Sequence, residues 1–152
     1  MDDPETSRRL QLNVAFGWLA MALSLVMMSV SLLVKAAIET DFSEFVHHPG
    51  PQGWSLMCVQ FFAYVMLALG CLQLDQRWFR WANAGLLAAA TLVMLLHQLG
   101  HMHEGVRYGW SGAVDATHHL AGLVTMLQAL RWARAGEGHA LAHGVGEARA
   151  AR

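Results

Sequence analysis

Charged residues are absent from three long stretches of the chain, and these stretches determine its expected architecture. No Asp, Glu, Lys or Arg occurs in residues 10–34, 45–74 or 81–103, and a shorter uncharged stretch covers residues 116–130. A helix needs about 20 apolar residues to cross the hydrocarbon core of a bilayer, so the first three stretches are long enough. The fourth reaches both membrane surfaces only with the weakly polar residues before it or the arginines after it.

This pattern predicts an all-α fold, an integral membrane bundle of four transmembrane helices. The predicted helices cover about residues 12–37, 54–74, 82–102 and 115–133. They belong to a transmembrane domain of residues 10–135. Residues 1–9 are predicted to be a polar N-terminal tail, and residues 136–152 a disordered C-terminal tail rich in Ala, Gly and Arg.

Composition agrees with a membrane protein. Of the 152 residues, 55% are hydrophobic and only 14% are charged, and the mean hydropathy is +0.34. A soluble domain has about a quarter of its residues charged. The formal net charge of −1 indicates no nucleic-acid partner. The lipid bilayer is the expected environment, and small residues on the first and third helices could pack against a second copy or a larger membrane complex.

Basic residues lie mainly on one side of this topology. Eight of the ten are there, namely Arg8, Arg9, Arg77, Arg80, Arg131, Arg134, Arg149 and Arg152. Lys35 and Arg107 lie on the other side. Because cytoplasmic loops are enriched in Lys and Arg, both termini are predicted to be cytoplasmic, in a multi-pass protein of the bacterial inner membrane.

Most histidines fall at the opposite, external end of the predicted helices. These seven are His47, His48, His97, His101, His103, His118 and His119. His97 and His101 are four residues apart, so they share one face of the third helix. Asp115 precedes His118 and His119 by three and four residues at the start of the fourth helix. Since a short loop joins the two helices, we expect both groups to meet at the periplasmic face.

Several imidazoles with one carboxylate suit a transition metal such as copper, zinc or iron. The predicted ligands are His97, His101, His118 and His119, and Asp115 is predicted to bind the metal or to orient an imidazole. Haem b is the main variant, since it needs one imidazole from each of two facing helices, and the same four histidines would serve. Either cofactor would serve metal handling or electron transfer. The remaining external histidines are expected to contact water or headgroups.

The two histidine motifs, HxxxH at residues 97–101 and DxxHH at residues 115–119, resemble the histidine boxes of membrane fatty-acid desaturases and hydroxylases. In that family such boxes surround two irons. Here Asp115 stands where the second box has its first histidine, and the chain has no third box. The resemblance therefore covers only these two motifs.

Two other functions stay open. The chain could be a non-catalytic accessory or scaffold subunit of a larger membrane complex. It could also be a metal-dependent membrane hydrolase or oxygenase with Glu104 as a general base. No GxSxG, HExxH or P-loop fingerprint occurs, which favours a role other than catalysis. The polar residues within the helices, among them Ser24, Tyr64 and Asn83, are expected to make interhelical hydrogen bonds.

Overall fold

The computed structural model describes residues 4–42, 50–103 and 116–135, and side chains for 5–42, 50–96, 99 and 116–135. These residues form four helices, which are α1 (Pro4–Glu39), α2 (Gly50–Gln73), α3 (Arg77–His103) and α4 (116–135). The described part of the chain contains no strand, so the expectation of an all-α fold is confirmed.

Three of the four helices are long and apolar enough to cross a membrane. The apolar segments are Glu5–Glu39, Gly50–Gln73 and Arg77–Leu96. Within the described residues α4 does not qualify, because histidines at its start and arginines near its end shorten its apolar stretch. This difference agrees with the dependence of the fourth predicted helix on its flanking residues.

The first helix begins well before its predicted start near residue 12. It starts at Pro4, and Glu5 lies in its first turn. Proline is favoured at the first position of a helix, and a carboxylate there interacts favourably with the helix dipole. Most of the predicted polar tail is therefore helical. At 1.5 Å per residue, the 36 residues of α1 extend about 54 Å.

The same helix ends in a Schellman motif that has threonine in the left-handed position. The N–H of Asp41 donates to the carbonyl of Ala36 at 3.2 Å. Thr40, between them in the turn, has a φ of 52°. Glycine is the usual residue at this position, because a side chain with a Cβ is strained there.

We expect Thr40→Gly to raise the free energy of unfolding by about 1 kcal/mol. Relief of left-handed strain of about 1–2 kcal/mol is partly offset by the greater freedom of glycine in the unfolded chain. Thermal unfolding in detergent would measure the change, with Thr40→Ala as the control that keeps the Cβ. A midpoint for Thr40→Gly at or below that of the alanine variant would contradict the assignment.

The second and third helices form a tight antiparallel pair. Only residues 74–76 separate them, and α3 already includes Arg77 and Arg80, which the sequence analysis placed in the link. Phe79 in the first turn of α3 packs against α2, where a Cβ added to Gly70 would lie 2.9 Å from its ring. The missing side chain of Gly70 therefore makes room for this ring.

Side-chain contacts show the direction of α1 relative to α2 and α3. The ring of Trp18 on α1 lies 5.2 Å from that of Tyr64 on α2, and its indole N–H donates to Asn83 on α3 at 2.9 Å. The side chain of Gln11, near the start of α1, donates to the carbonyl of Cys71, near the end of α2. Helix α1 is therefore antiparallel to α2 and parallel to α3.

Helix α4 runs antiparallel to α1 and α3. Its end is held by Arg80, whose Nη1 donates to the carbonyl of Trp132 at 3.2 Å and whose Nη2 lies 2.7 Å from a carboxylate oxygen of Asp75. The guanidinium also lies over the Trp132 ring, 5.4 Å from its centroid. Such a contact satisfies one of the last carbonyls of a helix, which otherwise have no partner in the helix. We call this the arginine end of the bundle.

The core lies along the bundle axis and is lined by α1, α2, α3 and α4. Its largest fully buried side chains are Trp18, Trp132, Met21, Leu87, Val14, Asn83 and Cys71. Large apolar side chains such as Phe16, Phe62 and Val93 instead point outward, each about 65% exposed. An outward apolar surface of this kind suits lipid rather than water.

Candidate histidine site

His118 on α4 is buried in the interior of the bundle, against α1 and α2. Only 7% of its surface is exposed. Its Nδ1 forms a hydrogen bond with the hydroxyl of Ser24 on α1. Its ring stacks on that of Tyr64 on α2, with centroids 6.1 Å apart and planes inclined by 29°. The imidazole is therefore oriented by a hydrogen bond and by an aromatic face.

The next residue, His119, faces a different neighbour. Its Nε2 lies 3.2 Å from the backbone carbonyl of Met94 on α3. The rings of His118 and His119 are 6.4 Å apart and nearly perpendicular, at 79°. Successive residues of a helix differ in direction by about 100°, so one histidine meets α1 and α2 while the other meets α3.

The register between α3 and α4 places residue 116 of α4 level with one end of the histidine motif on α3. Since the two helices are antiparallel and His119 contacts Met94, residue 116 at the start of α4 lies level with the backbone of His97. The side chains of His97 and His101, and all of Asp115, lie outside the described residues. Their convergence with His118 and His119 stays a prediction.

His118 lies deeper in the bundle than its predicted position at the external end of the fourth helix. It contacts Ser24, ten residues before Val34, where the uncharged stretch of α1 ends. That separation is about 15 Å along the helix. Helix α1 continues to Glu39 and α3 to His103, well beyond the level of residue 116 on α4.

The hydrogen bonds of Ser24 identify the nitrogen of His118 that carries the proton. The Ser24 hydroxyl donates its single hydrogen to the carbonyl of Met21 at 2.8 Å. With that hydrogen directed to Met21, Ser24 Oγ accepts from His118, which places the proton of the neutral ring on Nδ1 and the lone pair on Nε2. A metal-binding imidazole commonly donates its other N–H to an oxygen in this way.

The contact of His119 assigns the opposite tautomer. A carbonyl oxygen only accepts, so Nε2 of His119 donates to Met94 and its lone pair lies on Nδ1. A histidine can bind a bare metal ion through Nδ1. Nδ1 is poorly suited to binding haem iron, because the adjacent Cβ would collide with the flat macrocycle. With this geometry only His118, of the two, presents the nitrogen that an axial haem ligand uses.

The expected interhelical hydrogen bonds are confirmed in part. Ser24 and Asn83 bond to other helices. Ser29 and Thr125 instead donate to carbonyls four residues earlier in their own helices, at 3.0 and 2.6 Å. The sequence marks Ser24 and Tyr64 as polar residues within the helices but gives no sign of their contact with His118. That connection depends on the register of α1 against α4, which no spacing within one helix contains.

Among the described side chains, no group of three or more His, Cys, Asp and Glu is arranged to hold a metal ion. Of the five predicted ligands, only His118 and His119 have described side chains. The other external histidines, His47, His48 and His103, and the proposed base Glu104 have no described side chains. Comparison of the chain with protein-family models, curated proteins and solved structures finds no match.

Proposed function

We propose that this chain is a multi-pass protein of the bacterial inner membrane that binds a transition metal through histidines of α3 and α4. The three apolar helices would span the bilayer, with α4 packed against α1 and α3 as the fourth member of the bundle. The arginine end would face the cytoplasm with both termini, as the positive-inside rule requires. The histidine motifs then open toward the periplasmic side.

The depth of His118 gives this proposal its physical basis. If residues 10–34 of α1 span the hydrocarbon core of about 30 Å, Ser24 and His118 lie near its middle. Ionisable side chains at that depth are rare and usually functional, because burying them there is unfavourable. A histidine kept only for packing could be replaced by leucine or phenylalanine without this penalty.

The single observation that carries the proposal is the pair of imidazoles oriented by oxygen atoms of the neighbouring helices. Ser24 on α1 and Met94 on α3 each accept from one nitrogen, and this leaves the lone pairs on Nε2 of His118 and Nδ1 of His119. His97 and His101 would supply further nitrogens from α3, and Asp115 a carboxylate or an orienting hydrogen bond.

A bare ion suits this arrangement better than haem b. Tyr64 and Ser24 occupy two sides of His118, and the tautomer of His119 directs the wrong nitrogen toward a macrocycle. Copper, zinc and iron all accept imidazole together with carboxylate. The site would serve metal handling, or electron transfer if the ion is copper or iron.

We expect the detergent-purified protein, expressed with added metals and haem, to contain about one metal ion per chain. The His97→Ala/His118→Ala double variant should lose it, because two imidazoles are removed from the site. His139→Ala/His143→Ala is the matched control, since it removes two histidines far from the site in sequence. Metal analysis and an absorption spectrum would measure the occupancy.

The outcomes separate the candidate functions. A Soret band lost in the His97→Ala/His118→Ala variant would identify haem b in place of a bare ion. Equal metal content in the two double variants would contradict the assigned ligands. A folded protein with neither metal nor haem would instead favour the accessory or scaffold subunit, in which the histidines only make hydrogen bonds.

A further inference from the structure

We propose that Ser24 is a positioning residue of the metal site, which selects Nε2 of His118 as the metal-binding atom. This inference rests on the proposed function and adds α1 to a site that the sequence motifs place on α3 and α4. Ser24 would not touch the metal. It would act through His118, by fixing the protonated nitrogen and the direction of the ring.

The contact between Ser24 and Met21 favours one direction for the hydrogen bond between Ser24 and His118. Ser24 donates to the Met21 carbonyl of its own helix, so its oxygen accepts from His118. Ser24 and His118 are 8% and 7% exposed, so water competes little for either group. The neutral ring is therefore held as the Nδ1–H tautomer.

Stacking on Tyr64 restricts the ring on a second side. The two ring planes are inclined by only 29°, and Tyr64 itself packs against Trp18 with centroids 5.2 Å apart. Rotation of the imidazole by half a turn would move Nδ1 away from Ser24 and break the hydrogen bond. The serine thus determines which nitrogen points away from α1.

Loss of this hydrogen bond should weaken the metal site without removing a ligand. An imidazole that donates to an oxygen is more basic at its other nitrogen, and removing the oxygen typically weakens metal binding about 10- to 100-fold. We expect this loss for Ser24→Ala. Ser24→Thr keeps the hydroxyl and should retain an affinity close to that of the wild type.

Ser29→Ala is the matched control. Ser29 lies on the same helix and donates to a carbonyl of that helix, that of Leu25, at 3.0 Å. Its substitution removes a hydroxyl from α1 but leaves His118 and Ser24 intact. A general effect of serine removal on α1 would therefore appear in both alanine variants, whereas a positioning role appears only in Ser24→Ala.

The test combines two measurements on the full chain in detergent. The affinity for Zn²⁺ is measured by chelator competition for wild type, Ser24→Ala, Ser24→Thr and Ser29→Ala. The tautomer of His118 is read in the metal-free protein from the ¹⁵N chemical shifts of its ring. We expect the Nδ1–H form in wild type, Ser24→Thr and Ser29→Ala, and a shift toward Nε2–H in Ser24→Ala.

Failure of the inference is distinct from failure of the proposed function. If wild type binds Zn²⁺ and Ser24→Ala binds it equally well with an unchanged tautomer, Ser24 does not position the ligand. An Nε2–H form in metal-free wild type would also overturn the inference. If wild type binds no Zn²⁺ and is purified without copper or iron, the proposed metal site itself is wrong, whatever the tautomer.

Discussion

Replacing Gly17 with alanine is expected to lower the free energy of unfolding by about 3 kcal/mol, at the upper end of the range for overpacked cores. Helices α1 and α4 are so close at this point that a Cβ on residue 17 would collide with Thr125, whose own Cβ would lie 2.7 Å away. Two Cβ atoms cannot approach to that distance. The helices would have to separate along the contact that also brings Ser24 to His118.

The effect should be large because packing is the main force between helices in a membrane. Lipid is as apolar as the helix surfaces, so association depends on close contact and on interhelical hydrogen bonds. Separation of α1 from α4 would weaken both at once. Thr125→Gly combined with Gly17→Ala removes the opposing side chain, and we expect it to recover part of the lost stability.

Gly85→Ala provides the matched control. Gly85 is also within a helix, α3, but a Cβ added there meets nothing within 4 Å. Alanine has the higher helix propensity by about 1 kcal/mol, so this variant should be neutral or slightly more stable. Thermal unfolding in detergent, followed by circular dichroism, would compare the two. A Gly17→Ala midpoint equal to that of Gly85→Ala would contradict the close approach of α1 and α4.

The sequence predicts the helices well but not their ends or relative levels. Uncharged stretches locate α1, α2 and α3, because a membrane-crossing segment must exclude charge. They do not locate helix termini, which depend on local features such as Pro4 and the turn at Thr40. The register of α4 against α1 depends on close contacts such as that of the Thr125 side chain with Gly17, and hydropathy contains no information on that.

The sequence likewise predicts only part of the candidate site. Spacing predicts that His97 and His101 share a face, and that Asp115 can share one with His118 or His119. It does not predict that His118 meets Ser24 and Tyr64 while His119 meets Met94. Adjacent helix positions point in directions about 100° apart, so His118 and His119 on α4 face different helices.

Asn83→Leu is expected to lower the free energy of unfolding by about 1–3 kcal/mol, because it leaves a buried donor unpaired. Asn83 is fully buried and connects three helices. Its Oδ1 accepts from the indole of Trp18 at 2.9 Å and from the thiol of Cys71 at 3.4 Å, and its Nδ2 donates to the carbonyl of Phe79 at 3.1 Å. Leucine has a similar volume but can accept no hydrogen bond.

Asn13→Leu makes the same chemical change at an exposed position of α1 and should leave stability nearly unchanged. A double-mutant cycle then isolates the contact. If the indole of Trp18 donates to Asn83, the Trp18→Phe/Asn83→Leu double variant should be destabilised by less than the sum of the two single variants. We expect this difference to be about 0.5–2 kcal/mol. Strict additivity, measured by unfolding in detergent, would show that this hydrogen bond does not connect α1 to α3.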